Sequence, residues 1–220
     1  MDNLTHSLVG LAAAKSGLER LSPGATALCV LAANSPDADI IVLLFRDRWS
    51  FLQHHRGITH ALIGTFVLSV LLPVLFLAGD FIISRIRKRG LQVRFVPLLI
   101  VSLLVTFTHP LLDWTNNYGI RPLLPWSSKW FYGDFVFIVD PFIWLILGSA
   151  CFLLTTRTRF LRLVWLFLGV VLTLFIVFSP RGGNFPYPWV LRAIWLTTML
   201  GLVLLFIKKV GDRLGPKLAI

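Results

Sequence analysis

The run HHRGITH, residues 54–60, puts three histidines and an arginine into seven positions just before a long apolar stretch. Imidazole is the commonest metal ligand and titrates near neutrality. Arg56 offers a planar fork matched to a carboxylate or phosphate, and Gly57 permits a tight turn or a close backbone approach. The plain alternative is an interfacial anchor, with Arg56 and the imidazoles reaching headgroups. Anchoring, however, needs neither the glycine nor paired histidines.

Two further stretches carry related chemistry. In THPLLDW, His109 and Asp113 are four residues apart, so on a helix they share one face and two ligands can come from one rigid turn. In NSPDADII, Asp37 and Asp39 follow a proline between two apolar segments. Helix capping accounts for one of these acids. The second would enter an apolar helix unpaired at a cost of several kcal/mol unless it meets a cation. One capping or supporting carboxylate and one ligand is therefore the expectation. The dipeptide Thr-His occurs at Thr5, Thr59 and Thr108, and a hydroxyl beside a ligand can orient it or bond the preceding helical turn.

The elements that must position these groups lie in a membrane. With 56% hydrophobic and 14% charged residues and a mean hydropathy of +0.80, the chain is far poorer in charge than a soluble domain, which carries about 25%. Apolar runs near 61–84, 95–113, 137–156, 160–179 and 190–207 approach the roughly 20 helical residues needed to cross a hydrocarbon core. Pro73 inside the first is tolerated there. The shorter runs at 4–18, 24–34 and 38–45 read as half-spanning or re-entrant helices. The opening run makes a poor signal peptide, since Asp2 stands where a basic segment belongs. The expected fold is an all-α, polytopic membrane helical bundle of about five full spans plus short N-terminal helices. It forms one integral domain over residues 1–220, with the site in 1–140 and additional helices in 141–220.

Lys and Arg set the orientation. RIRKRGLQVR (85–94) carries five basic residues and no acid, which makes it cytoplasmic, and alternation places RTRFLR (157–162) and KKVGDRLGPK (208–217) on the same side. Residues 46–60, 114–136 and 180–189 then face outward. On that arrangement His6, His54, His55, His60 and His109 converge on one face with Asp37, Asp39, Asp113 and Asp140, the last opening a helix. The net charge of +11 follows from the cytoplasmic clusters and anionic lipid; nucleic-acid binding is not expected, because the basic residues are split among short loops. Cys29 and Cys151 lie in apolar segments and read as buried small hydrophobes. Trp126, Trp130, Tyr187 and Trp189 suit an interfacial aromatic belt.

The order THSLVGLAAA, SPDAD, HRGITHA, HPLLDW resembles the YdjM-like family of membrane-bound, metal-dependent hydrolases of the bacterial inner membrane. The likeness covers roughly the first 140 residues. It implies the site positions His6, Asp37, Asp39, His55, Arg56, His60, His109 and Asp113. One departure is Ala61, where a small hydroxyl residue is expected. A fainter likeness is to zinc-dependent phospholipase C, also all-helical with scattered His and Asp ligands.

These readings combine into an expected metal centre on the outer face of the inner membrane. His6, His60, His109 and Asp113 are ligands and Asp37 ligates or bridges. One or two divalent cations, zinc from the imidazole and carboxylate mix, would activate water. Asp39 or His55 would act as general base and Arg56 would stabilise developing negative charge. A lipid-borne ester or phosphoester is the expected substrate. The rival is a non-enzymatic metal-binding or transport-related membrane protein. A conduit needs polar groups through the midplane, and spans 61–84 and 95–113 are apolar below their outer ends.

Overall fold

The structure, a computed structural model, describes residues 1–44, 55–178 and 188–218. His54 and Tyr187 lie outside the described residues. Among the described residues the protein is helical, with two isolated β-bridges, Asn116 to Val136 and Ile120 to Phe131. The chain forms two compact units, Met1–Val139 and Asp140–Ile220.

In the first unit, α1 (Asn3–Lys15) starts at Asp2, whose carboxylate accepts the Thr5 backbone N–H and hydroxyl. Its last turn ends at Ser16, and Gly17 at φ +126° turns the chain into a short 3-10 segment, Leu18–Arg20. Then α2 (Ala25–Asn34) returns. At 1.5 Å per residue α1 and α2 are only about 20 and 15 Å long, short of a span, and as a packed hairpin they bring His6 and the segment after Asn34 to the same end. The hairpin closes tightly because Gly10 faces α2. A methyl group there would lie 2.5 Å from the Cys29 carbonyl oxygen.

Residues Ser35–Leu44 wind as a 3-10 helix, where an α-helix is expected, and Ile58–His60 form another 3-10 turn. Next, α3 (Leu62–Ile86) spans 25 residues. Its buried positions are Thr65, Ser69, Pro73, Asp80 and Ser84, while Phe66, Val67, Leu71, Val74 and Leu75 are exposed. Small and polar inward with large apolar outward is the inverse of a soluble helix. Lipid makes it the stable arrangement, because small inward residues let backbones approach and lipid solvates the rest. At the far end Asp80 accepts the backbone N–H groups of Gln92 and Val93 and a guanidinium N–H of Arg89, tying down the basic 85–94 loop.

The run 95–113 breaks into α4 (Phe95–Thr106) and α5 (Thr108–Trp114). Pro110 explains the break: it has no N–H for the Thr106 carbonyl and its ring crowds that oxygen. Beside the break, Thr108 donates its hydroxyl to the Val105 carbonyl, 2.6 Å away. The core beneath the site is built from Ala14, Ala25, Leu28, Cys29, Ala32, Ala33, Leu98, Val101 and Val105. Cys29 is a buried free thiol, and Cys151 in the second unit is also buried.

The second unit holds α6 (Pro141–Thr155), α7 (Arg159–Phe178) and α8 (Pro188–Leu218). Asp140 caps α6 by accepting the N–H groups of Phe142 and Ile143, so the helix starts at Pro141 and is 15 residues long. That is about 22 Å, shorter than the run 137–156 suggests. The other four long apolar runs form helices of membrane-crossing length and composition: Leu62–Ile86, Phe95–Trp114, Arg159–Phe178 and Pro188–Lys208. Two indole N–H groups in this unit donate to hydroxyls, that of half-buried Trp165 to Thr155 and that of buried Trp195 to Thr173.

Candidate metal centre

Four segments of the first unit deliver the site. α1 contributes His6, the 3-10 helix after α2 contributes Asp37 and Asp39, the stretch before α3 contributes His55, Arg56 and His60, and α5 contributes His109 and Asp113. His6, His60 and His109 are wholly buried and Asp113 nearly so. In an apolar protein of this size such burial is costly unless each group has a partner.

One atom from each of Asp37, His60, His109 and Asp113 falls within a sphere where all lie within 4.8 Å of one another. The Nε2 atoms of His60 and His109 are 3.1 Å apart. His109 Nδ1 lies 2.7 Å from the Ala33 carbonyl oxygen. A carbonyl only accepts, so Nδ1 carries a proton and Nε2 is the nitrogen turned inward, free to ligate whenever it gives up its own proton. Nε2 meets Asp37 Oδ1 at 3.4 Å and Asp113 Oδ2 at 3.5 Å. His60 Nε2 meets the same two carboxylates, each at 3.3 Å. Lone pairs directed at one another from two imidazoles and two carboxylates repel unless a proton or cation stands between them.

His6 supplies a second sign. Its ring stacks on His109 with centroids 3.7 Å apart, yet neither ring nitrogen makes a hydrogen bond. Nε2 is 3.4 Å from Asp113 Oδ1, an ion pair only for a protonated ring. Burial drives the His6 pKa down to about 4 against the pull of Asp113, so at neutral pH it is an uncharged, orphaned donor ligand. Burial works to raise the Asp37 carboxyl, but the His109 and His60 imidazoles outweigh it and hold Asp37 well below the usual carboxylate range. These atoms, orphaned or facing like-polarity partners, fit a transition-metal ion of mixed nitrogen and oxygen preference.

Of the remaining candidates His55 is partly exposed, while Asp39 and Arg56 are buried. Asp39 accepts the Arg56 backbone N–H at 3.1 Å and pairs with His55 Nδ1 at 3.1 and 3.3 Å. Neither acid of NSPDADII caps an α-helix: Asp37 faces the buried imidazoles and Asp39 faces His55. The tight turn falls on Arg56, at φ +54°, and Gly57 is at φ −83°. A left-handed arginine costs roughly 1–2 kcal/mol, tolerated here because the side chain is fully engaged. Its guanidinium reaches both Asp113 oxygens at 3.2 and 3.1 Å, Asn116 Oδ1 at 3.0 Å and the Gly119 carbonyl at 2.9 Å, and lies 4.5 Å above the Tyr118 ring. Arg56 is 3% exposed. The role expected for it, stabilising charge on a substrate, does not match these contacts; the fork is spent on protein acceptors and clamps Asp113. The Met1 ammonium also donates to Asp113.

Several positioning groups escape sequence reasoning. Gly64 is the sharpest: a Cβ there would lie 1.8 Å from the Ile58 carbonyl oxygen, so this glycine lets the His60 turn press against α3. Asn116 and the Gly119 carbonyl sit in a loop whose sequence carries no marker for them. The three threonines beside histidines do three things: Thr59 Oγ1 lies 3.1 Å from His60 Nδ1, Thr108 bonds the preceding turn, and Thr5 bonds the Asp2 cap. Ala61 occupies the N-cap position of α3 with no side-chain cap, which is where the expected hydroxyl residue would have served.

Comparison with known proteins agrees with the helical membrane reading. The model of a family described as YdjM inner membrane protein matches residues 1–183. The chain is similar to inner membrane protein YbcI of Escherichia coli (strain K12), 33% identical over 143 residues, covering 63% of this chain and 76% of YbcI. It is also similar to uncharacterized protein YfhP of Bacillus subtilis (strain 168), 28% identical over 156 residues, covering 66% of this chain and 43% of YfhP. The chain thus spans less than half the length of YfhP. No solved structure matches, and the fainter likeness to zinc-dependent phospholipase C finds no support in these comparisons.

Proposed function

This chain belongs to the YdjM inner membrane protein family, and from that premise we propose that it is a metal-dependent hydrolase working at the outward face of the bacterial inner membrane on a lipid-borne ester or phosphoester. The observation that carries the reading is the facing of His60 Nε2 and His109 Nε2, 3.1 Å apart, between the Asp37 and Asp113 carboxylates. His6, Asp37, His60, His109 and Asp113 would hold the cation, and zinc suits that ligand set best. A cation bound there supplies Lewis acidity that activates water and polarises an ester or phosphoryl oxygen.

The chain's own residues do the rest. The Ala33 carbonyl fixes the His109 tautomer, Arg56 fixes the Asp113 rotamer, and burial behind the α1 and α2 hairpin keeps bulk water from the inner side. Asp37 and His55 are only partly buried, so a substrate would approach past them. The exposed Trp126, Tyr132 and Phe135 in the 114–139 loop suit the headgroup region, where a lipid presents its polar bond. A transport role fits less well, because the ionisable residues of the site cluster before α3 and in α5, and the buried polar positions between them and Asp80 carry only hydroxyls, Thr65 and Ser69 on α3 and Ser102 and Thr106 on α4.

Incubating the purified protein with a lipid extract tests the activity. Mass spectrometry is expected to show a water-soluble product that wild type releases and Asp113→Asn does not, with release stopped by a chelator. No change across a broad panel of lipids and phosphoesters, or a change insensitive to chelation, would move the assignment to a non-enzymatic metal-binding protein.

Orientation has its own test. A cysteine placed at Ser128 should react with a membrane-impermeant thiol reagent in intact cells, and one at Gly90 should react only after permeabilisation. The native cysteines are buried and leave a low background. The reverse labelling would turn the site to the cytoplasm and remove the external substrate.

A further inference from the structure

Asp37 belongs to two ligand groups at once. It is one corner of the buried set with His60, His109 and Asp113, and it also stands with Asp39 and His55, where one atom from each of the three lies within 4.8 Å of the others. We propose that the Asp37, Asp39 and His55 group is a second divalent-cation site and that Asp37 bridges the two ions. The inference rests on the reading of the buried set as a metal centre. It goes further by giving Asp39 and His55, expected from sequence as a general base, the role of ligands.

Charge favours this. Asp37, Asp39 and Asp113 bring three carboxylates into one partly buried cluster, and the contacts of both the Arg56 guanidinium and the Met1 ammonium with it fall on Asp113. One divalent ion in the buried set would be held by Asp37 and Asp113, which would leave Asp39, 9% exposed, offset by a backbone N–H and an imidazole. Two carboxylates held this close repel by more than they would in water, and a cation between them removes the repulsion. His55 adds a nitrogen donor that a purely acidic cluster lacks, and nitrogen with oxygen suits zinc or manganese. The two groups also differ in depth: the first is buried except at Asp37, and the second reaches the surface through Asp37 and His55. A carboxylate shared between paired ions is how two-metal hydrolytic centres hold both oxygens of a displacement.

The test counts ions in the full-length protein in detergent. Chelator-stripped wild type titrated with Zn2+ should bind two ions per chain. His55→Ala and the isosteric Asp39→Asn, which can still accept the Arg56 N–H, should each keep one, with the other weakened by about 10- to 100-fold, as ligand or support losses do. With Mn2+ in place of Zn2+, wild type should give the electron paramagnetic resonance spectrum of a coupled pair and His55→Ala that of an isolated ion. One ion in wild type and in both variants, with equal affinity, would overturn the second site and leave the buried centre standing. Two ions retained in both variants would place the second ion elsewhere and overturn it as well. No ion in wild type would overturn the buried centre itself, and this inference with it.

Discussion

His109→Ala is expected to lose the metal while keeping the helical fold. The imidazole is placed by a backbone carbonyl, Ala33, at 2.7 Å from Nδ1, so the ligand nitrogen is aimed by the end of α2 and by nothing the mutation leaves behind. Its Nε2 faces His60, Asp37 and Asp113 together, which makes it the ligand whose loss opens the buried set most. Affinity for Zn2+ should fall by at least 10- to 100-fold, the usual cost of disturbing a metal ligand or its support, and elemental analysis of purified protein should show that loss directly. Product release from lipid should fall in step. Circular dichroism separates loss of ligand from loss of fold, because His109 sits in the seven-residue α5 at the end of one span and most of the helical content lies outside it. A variant with wild-type helicity and undiminished zinc would mean that the buried cluster is a hydrogen-bonded polar core and not a metal centre.

Much of this centre is legible in sequence, for a physical reason. In a chain with so little charge, histidine and aspartate at the edges of apolar runs are expensive, and expense concentrates them where they have partners. His6, Asp37, Asp39, His55, His60, His109 and Asp113 could therefore be singled out before any fold was known, and the hairpin of α1 and α2 could be inferred from two runs too short to span. What stayed hidden depends on shape. Gly64 reads as one more small residue in a membrane helix until the Ile58 carbonyl is seen pressed against it. Asn116, Tyr118 and the Gly119 carbonyl matter because Arg56 folds back onto them, and a lone arginine in sequence looks the same whether it reaches for substrate or for its own chain. The apolar run 137–156 overstates the length of α6, because Phe137, Ile138 and Val139 are as apolar as the helix that follows, while Asp140, which the sequence reads as opening a helix, is where it begins.

The same arginine carries the largest stability effect. Arg56→Met keeps much of the side-chain volume and removes the fork that touches both Asp113 oxygens, Asn116 and the Gly119 carbonyl. Breaking a buried ion pair from one side leaves the other charge without its counter-charge, at a cost of about 3–5 kcal/mol. The left-handed backbone at position 56 would remain, with fewer contacts to hold it. Chelator-treated Arg56→Met should therefore unfold at a clearly lower temperature than chelator-treated wild type in the same detergent. Arg85→Met, at the exposed end of α3, makes the same chemical change and should fall within about 0.5 kcal/mol of wild type, as surface substitutions do. Because the effect arises in protein without metal, it separates the clamp from the ion it helps to seat. An Arg56→Met melting curve that overlays the wild type would mean that the Met1 ammonium and the imidazoles alone neutralise Asp113, and that the guanidinium is free for the substrate role its contacts argue against.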